Sequence, residues 1–490
     1  MFTKRSTSQI LLTLFLAAYL TCGPAVTLVK AQQPSSGPSG ADYDTPVNLV
    51  QNLLNILQTL PFDLFEVDVN TLGVSDNDPE LVNAGINGYD SPDPSNDQSD
   101  SSVSASDPSM FIVDDDNVQC PNAQYQTIQD AVDAAGADGE TNDHDKIKVC
   151  PGRYVEQVKI EGPQYNNLRL FGRNSVDTKA PAAAPNPNKE AIIEAPPVLP
   201  GGLARDRSIV LVSNASQVLV RHFFITGPAN NIWAGVFVAG GASATIRHNH
   251  ITKIHTNPYG LTGEGHGVAV GRRFEGEVGM ACVRHNLIDD YQKTGVFVDH
   301  LGTSAEVRHN EIIGHGSTNT IAQNGVQISR NARAEVRHNK ISQNLFEPTC
   351  CAMADADAIG ILTQDENNTA CAGTCDSIGA VNPNLLNVHH NKVFLNEVGI
   401  GLARATFRGL FDHNKSHNNT QIGIRAYGGT RNGGNTVPEA QENTVSYNKI
   451  EDNQLDCSDQ TTGTGTPPPS ANYWRKNKGN TEDTPGICKK

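Results

Sequence analysis

Aromatic residues make up 6% of the 490-residue sequence, and cations are in deficit, with 37 Lys and Arg against 53 Asp and Glu for a formal net charge of −16. The deficit argues against a nucleic-acid partner, because such binding draws much of its affinity from neutralised phosphates. Past residue 31 no segment approaches the ~18–20 consecutive apolar residues of a membrane span, so no transmembrane segment is expected. No cysteine spacing resembles a zinc site. Cys371-x3-Cys375 and the adjacent Cys350-Cys351 are the close pairs, and neither has histidines placed as partner ligands, so no metal centre is expected. The repetitive centre of the chain also lacks the 3.6-residue apolar period of a helix.

What fills that centre, from about Val220 to Ile450, is one phrase repeated with variations. It reads ATIRHNHI at Ala244–Ile251, ACVRHNLI at Ala281–Ile288, AEVRHNEI at Ala305–Ile312 and AEVRHNKI at Ala334–Ile341, with looser copies from Val220, Asn387, Leu410 and Thr444. A second phrase, glycine followed by alternating aliphatics, alternates with it from Gly235, Gly267, Gly295, Gly325, Gly360, Gly399 and Gly423. The shortest spacings between copies are 24 residues, from His285 to His309, and 23, from His390 to His413. Two β-type phrases on such a period predict the coils of a parallel β-helix. Alternation sets the facing, so Val296 and Val298 point inward while Phe297 points out.

Asn249, Asn286, Asn310, Asn339, Asn391, Asn414 and Asn448 each follow an inward apolar residue by three positions. Stacked coils place them in one structural ladder with a rung every ~4.8 Å, amide bonded to amide. His248, His285, His309 and His338 precede rungs of the ladder. They recur too regularly for a unique catalytic residue and read as corner residues packed beside it. Arg247, Arg284, Arg308 and Arg337 form a further column, which Glu306 and Glu335 are expected to compensate.

Residues 1–31 carry two early cations, an apolar run at Ile10–Leu20 and a small residue at Ala31, the pattern of a secretory signal peptide. Removing it with its three cations brings the charge to about −19 by the same count, and the mature protein is expected outside the cell, whether extracellular, periplasmic or at the cell surface, as a monomer. Residues 32–110 read as an acidic Ser/Asp/Pro-rich disordered linker, with a short amphipathic helix at 47–60. Residues 111–456 form the β-helix domain and 457–490 a C-terminal cap. Tyr125–Ala135 (YQTIQDAVDAA) reads as a helix with Ile128, Ala131, Val132 and Ala135 on one face, and Lys146–Val149, Cys150-Pro151-Gly152 and Tyr154–Ile160 as strand, turn and strand.

This opening resembles that of the right-handed parallel β-helix families related to pectin lyases and pectinesterases, in which such a helix plugs the first coil. The segments Asp289-Asp290-Tyr291-Gln292-Lys293-x-Gly295, Ile321–Gly325 and Cys457…Asn472-Tyr473-Trp474…Pro485–Cys488 resemble a largely uncharacterised group of secreted members. The resemblance covers about Cys120–Cys488. It implies an all-β fold, a single-stranded right-handed pectin lyase-like solenoid with an N-terminal capping helix, and association with polysaccharide. A cap is physically required, because an open coil end would bare apolar core and strand edges.

Ten cysteines less Cys22 of the leader leave nine in an exported chain, where disulfides persist. Cys120 and Cys150 are expected to bridge at the N-terminal cap and Cys457 and Cys488 at the C-terminal one. Cys350, Cys351, Cys371 and Cys375 are expected to form two bridges in undecided pairing, leaving Cys282 as a lone thiol on a coil strand.

Related enzymes act on extended polysaccharides along an outer face. The polygalacturonase pattern fails here: Gly-His-Gly occurs at Gly265–Gly267 and Gly314–Gly316 and Asp289-Asp290 is present, but Asn-x-Asp and Arg-x-Lys are missing. The pectinesterase motifs and the Asp-Pro-His-Asp of alginate epimerases are absent as well. Aligning the glycine phrases instead stacks Arg272, His300 and Arg330 about one coil apart, with Asp299 beside them. Two guanidiniums around a histidine suit a uronate: arginine pairs with the carboxylate and acidifies the C5 proton, and His300 or Asp299 removes it, giving β-elimination. Asp289, Asp290, Lys293 and Gln323 lie on the approach to the same glycines and could hold substrate or Ca²⁺. Trp233, Phe237, Tyr291 and Phe297 are the aromatic candidates for stacking on sugar. The expected partner is an acidic polysaccharide or cell-envelope glycan, bound or modified; the alternative is a non-catalytic structural or adhesive solenoid.

Overall fold

A computed structural model describes residues 110–488 except 138, 140–143, 181–182, 261, 348–355, 365–385 and 430–438. The leader, the linker, the helix expected at 47–60 and Cys350, Cys351, Cys371 and Cys375 lie outside the described residues.

Short strands follow one another around a coil and pair in parallel with the equivalent strand one coil on, building three sheets in which, after the opening pair Met110–Val113 and Lys146–Val149, each strand's neighbour is the third one along the chain. Sheet 1 has twelve strands, from Met110–Val113 to Tyr473–Arg475, and sheets 2 and 3 have ten each. One central coil runs through Gly279–Arg284 in sheet 1, Leu287–Asp289 in sheet 2 and Thr294–Asp299 in sheet 3. The chain is thus a single-stranded parallel β-helix. Its register equates the repeated phrases directly, with Val268, Val296, Val326, Ile361, Ile400 and Ile424 stacked as successive Cα partners in the buried core.

The phrase glycines open the strands of sheet 3, where coils approach most closely. A Cβ at Gly267, Gly295, Gly325, Gly360 or Gly399 would sit 2.5–2.7 Å from the carbonyl oxygen of the next glycine in the column, so no side chain fits.

The corner between sheets 1 and 2 turns through a residue at φ of +52° to +55°, filled by His248, His285, His309, His338, His390 and His413. Their rings stack 5.0–5.2 Å apart. The next residue in each copy is the ladder asparagine. Asn310, for example, accepts from the backbone and side-chain nitrogens of Asn286 at 3.0 Å each, and donates to Val283 O at 2.8 Å and Asn339 Oδ1 at 3.0 Å. The same pattern links Asn249, Asn286, Asn310, Asn339, Asn391, Asn414 and Asn448 and continues to Asn477. On sheet 1, Glu306 pairs with Arg308 at 2.9 Å and Arg337 at 2.8 Å.

A second ladder, invisible in the repeated phrase, runs up the corner between sheets 2 and 3 through Asn453, Asn419, Asn396 and Asn344. It ends where the Tyr291 hydroxyl donates to Asn344 Oδ1 at 2.7 Å.

The capping helix α1 spans Ile128–Ala135 rather than starting at Tyr125, because the Thr127 side chain accepts from Asp130 N and caps it there. Ile128, Ala131, Val132 and Ala135 are its buried face. Disulfides join Cys120 to Cys150 and Cys457 to Cys488. Cys282 is not the lone thiol that counting suggested: it is disulfide-bonded, and since the other four described cysteines pair with one another, its partner lies outside the described residues.

Candidate active site at a corner of the coils

Sheet 3 separates the residues that the sequence grouped together. Arg272, Asp299, His300 and Arg330 lie where sheet 3 turns into sheet 1, whereas Asp289, Asp290, Lys293 and Gln323 lie at the opposite end of its strands. The six residues of Thr294–Asp299 intervene, a span of roughly 17–20 Å.

The first group is tied together internally. Asp299 is 1% exposed, takes the Arg330 guanidinium at 2.7 Å on one oxygen and accepts from the Arg273 backbone N–H at 2.9 Å on the other. It is therefore not placed to take a substrate proton. Arg272 stands out of the column, because its backbone is drawn into an inserted turn: its side chain pairs with Glu275 at 2.7 Å and lies over the Trp233 ring, 4.1 Å from its centre. His300 follows Asp299 at a φ of +88° on the turn itself.

The aromatic candidates are not sugar platforms. Trp233, Phe237, Tyr291 and Phe297 are all at most 6% exposed. The short turn Ala204–Arg207 lies against the strand Ala234–Ala239 of sheet 3, and Ala204 shares a buried apolar cluster with Trp233, Phe237 and Phe297. Arg207 bonds to Glu264 at 2.9 Å and Arg205 to Glu161 at 2.9 Å, fixing the turn. His266, centre of the first Gly-His-Gly, is stacked on Phe297 and set edge-on to Trp233. Burial, then the charges of Lys293, Arg272 and Arg207, push its pKa down to about 3, so it stays neutral.

The opposite corner is different. Here the second ladder gives way to the segment Asp290–Lys293, facing the inserted loop 255–262 and the second Gly-His-Gly. Asp290 Oδ1 and His315 Nδ1 are 2.5 Å apart, and Asp290 Oδ2 is 4.0 Å from His255 Nε2. The Tyr259 ring stacks on His315 with centroids 4.3 Å apart. Of these residues Tyr259 and His315 line a cleft of about 500 Å³, together with Ser317, Thr318, Asn319, Thr320 and Glu347. Hydroxyls, an amide and a carboxylate beside an aromatic ring are groups suited to a sugar.

Two buried glutamines hold this arrangement. Gln292 Oε1 accepts from Thr256 N, Thr256 Oγ1 and Gly260 N at 3.1, 2.7 and 2.9 Å, anchoring the loop that carries His255 and Tyr259. Gln323 donates to the Tyr259 hydroxyl and to Tyr291 O, and accepts from His315 N at 3.1 Å. Lys293 points away from the cleft, donating to Ala322 O at 2.6 Å, with burial lowering its pKa to about 8.

The protonation states follow from the partners. The hydrogen bond to Asp290 holds the His315 pKa above the ordinary imidazole value, so this ring tends to be cationic. His255 Nδ1 lies 2.8 Å from Thr256 O; a carbonyl only accepts, so Nδ1 carries the proton and Nε2 of the neutral ring keeps its lone pair. Burial raises the Tyr259 pKa, so its phenol stays protonated.

Asp289 and Asp290 do not converge on one Ca²⁺. Asp289 is bonded to His250 at 3.1 Å and Asp290 to His315. Among the described residues one acidic group has ligand atoms close enough to share an ion, Asp114, Asp115 and Asp116. These carboxylates accept from the backbone N–H groups of Cys120, Arg153 and Val118, respectively, which accounts for their clustering.

Sequence reasoning named Asp290 and Gln323 but missed His255, Tyr259, Gln292 and His315. The available signal was the second Gly-His-Gly, read against a motif from another enzyme class instead of against Asp290, 25 residues earlier.

No protein-family profile and no curated protein matches the chain. Among solved structures it is similar to XylC in complex with xylose, at 10% identity over 71% of this chain and 69% of that one, with a TM-score of 0.42. It is also similar to the A-module of a mannuronan C-5 epimerase from Azotobacter vinelandii, at 13% identity over 72% and 92% with a TM-score of 0.36. A third is the family PL6 alginate lyase AlyGC, at 14% identity over 74% and 52% with a TM-score of 0.31. The likeness is one of fold.

Proposed function

We propose that this is a secreted protein that binds and cleaves acidic polysaccharide at the corner cleft, by β-elimination. The observation that carries the reading is that His315 and Tyr259 line a cleft of polar groups, with His315 paired to Asp290 and His255 facing the other Asp290 oxygen. In this reading His255 Nε2 removes the C5 proton of a uronate, and the C4–O bond breaks as the C4–C5 double bond forms. Protonated His315 donates its Nε2 proton to the departing oxygen. Tyr259 acts as a fixed wall rather than a base, since its phenol keeps its proton. The absence of a helix long and apolar enough to cross a membrane among the described residues is compatible with export.

Incubation with polygalacturonate, alginate and glycosaminoglycans, followed by the ultraviolet absorbance of the unsaturated product, tests this. Turnover by wild type should fall by about 10²-fold or more in His255→Ala and His315→Ala. Turnover unaffected by both substitutions refutes the site, and none on any acidic chain refutes the activity. The alternative, a non-catalytic adhesive or cell-envelope solenoid, is favoured by the ion-paired column Asp299–Arg330, and predicts glycan binding without product.

A further inference from the structure

Phe274 is 71% exposed, the most exposed large apolar side chain among the described residues. It is also held rigidly, on the short turn Arg273–Glu275 inserted after a sheet 3 strand. The backbones of Arg272 and Glu277 exchange two hydrogen bonds of 2.8 and 3.0 Å across the base of the turn. The Arg273 N–H is fastened to Asp299, and the Glu275 carboxylate both pairs with Arg272 and accepts from Ala204 N at 3.0 Å. The Arg330 guanidinium supports the Phe274 ring, 5.3 Å from its centroid, and is itself fixed by Asp299. An aromatic ring backed by a cation and anchored from below has little conformational entropy left to lose when something stacks on it.

The charges around the ring are unevenly used. Glu275 is engaged by Arg272 and Ala204 N, Glu277 by Arg205 and Gly240 N, and Asp299 by Arg330 and Arg273 N. The Arg273 side chain, next to Phe274 in the chain, has no ion pair or hydrogen bond among the described residues.

We infer that the corner between sheets 3 and 1 is an accessory binding site for a uronic-acid chain, with Phe274 as the stacking platform and Arg273 as the carboxylate-binding group. A pyranose ring offers an apolar C–H face to the phenyl ring, and a planar guanidinium matches a carboxylate bidentately. In an acidic protein, an unengaged guanidinium beside an exposed aromatic favours an anionic sugar over a neutral one. The inference rests on the proposed function for the class of ligand, but on different residues at the other end of sheet 3.

The test is affinity electrophoresis and calorimetry of the full chain with polygalacturonate oligosaccharides, neutral dextran and dextran sulfate. Phe274→Ala and Arg273→Gln should each weaken polygalacturonate binding by roughly five- to tenfold, since stacking and exposed ionic contacts each contribute about 1 kcal/mol. Arg273→Gln should also flatten the salt dependence. The thermal midpoint should not move, as Phe274 is exposed and the half-buried Arg273 side chain has no ion pair or hydrogen bond among the described residues to lose. Unchanged affinity in both variants overturns the site, as does equal retardation by neutral dextran. Equal, Phe274-independent binding of dextran sulfate reduces it to general charge attraction and overturns it too. The cleft is judged separately: His315→Ala should abolish turnover while keeping this binding, so loss of binding in His315→Ala alone places the uronate in the cleft and refutes the accessory site.

Discussion

Replacing Asn310 by alanine should remove one rung of the ladder in the middle of the solenoid. The buried amide accepts from Asn286 N and Nδ2, and donates to Val283 O and Asn339 Oδ1. Some partners have other bonds: Asn286 Nδ2 still donates to Ile246 O and Arg284 O, and Asn339 Oδ1 still accepts from Asn310 N. One group is stranded, the Asn286 backbone N–H, because the Val283 carbonyl keeps the strand pairing to Arg308. At ~1–3 kcal/mol for a buried group left unsatisfied, the expected loss is roughly 1–3 kcal/mol. Urea unfolding should show a lower midpoint at unchanged slope, and hydrogen exchange should accelerate at Asn286. Asn310→Asp sharpens the test. It keeps an acceptor for Asn286 but turns a second oxygen toward Val283 O and Asn339 Oδ1, so the ionised form is disfavoured and the folded pKa must lie above the ordinary ~3.9. The folded state then binds more protons than the unfolded one, and stability recovers as pH falls through the folded value. The alanine variant has no proton to gain there. A cost below about 0.5 kcal/mol for alanine with unchanged exchange, or a pH-independent aspartate variant, would refute the ladder argument.

Three further outcomes are expected. Arg330→Ala should cost roughly 2–4 kcal/mol in denaturant unfolding, because it leaves the buried Asp299 carboxylate with the Arg273 N–H alone; a neutral result would mean water reaches Asp299. Asp290→Asn should remove the partner that raises the His315 pKa, so the alkaline limb of the rate profile, set by loss of the His315 proton, moves to lower pH; an unmoved limb would assign the acid elsewhere. Replacing Cys457 and Cys488 by serine opens a loop with a sequence separation of 31 residues, costing about 3–4 kcal/mol in the chain-entropy picture. Exchange should then rise first in the last coil, which has one neighbour, and uniform acceleration along the chain would contradict that.

The repeated phrase was enough to determine the coil, its facing and the column of asparagines, because in a parallel solenoid each rung is set by residues at one offset within the repeat. Val268, Val296 and Val326 stack for the same reason that they recur. Nothing comparable marks where the pattern is interrupted. Whether Phe297 meets solvent depends on Trp233 and His266, whose rings lie against it from earlier coils, and whether Asp299 is free depends on the direction taken by Arg330 one coil later. The cleft is the extreme case. Asp290 comes from a corner, His255 and Tyr259 from an inserted loop and His315 from the following coil, so no period relates them. Their meeting is decided by how Gln292 and Gln323 hold the loop against the coil, a matter of three-dimensional hydrogen bonding that sequence spacing does not encode.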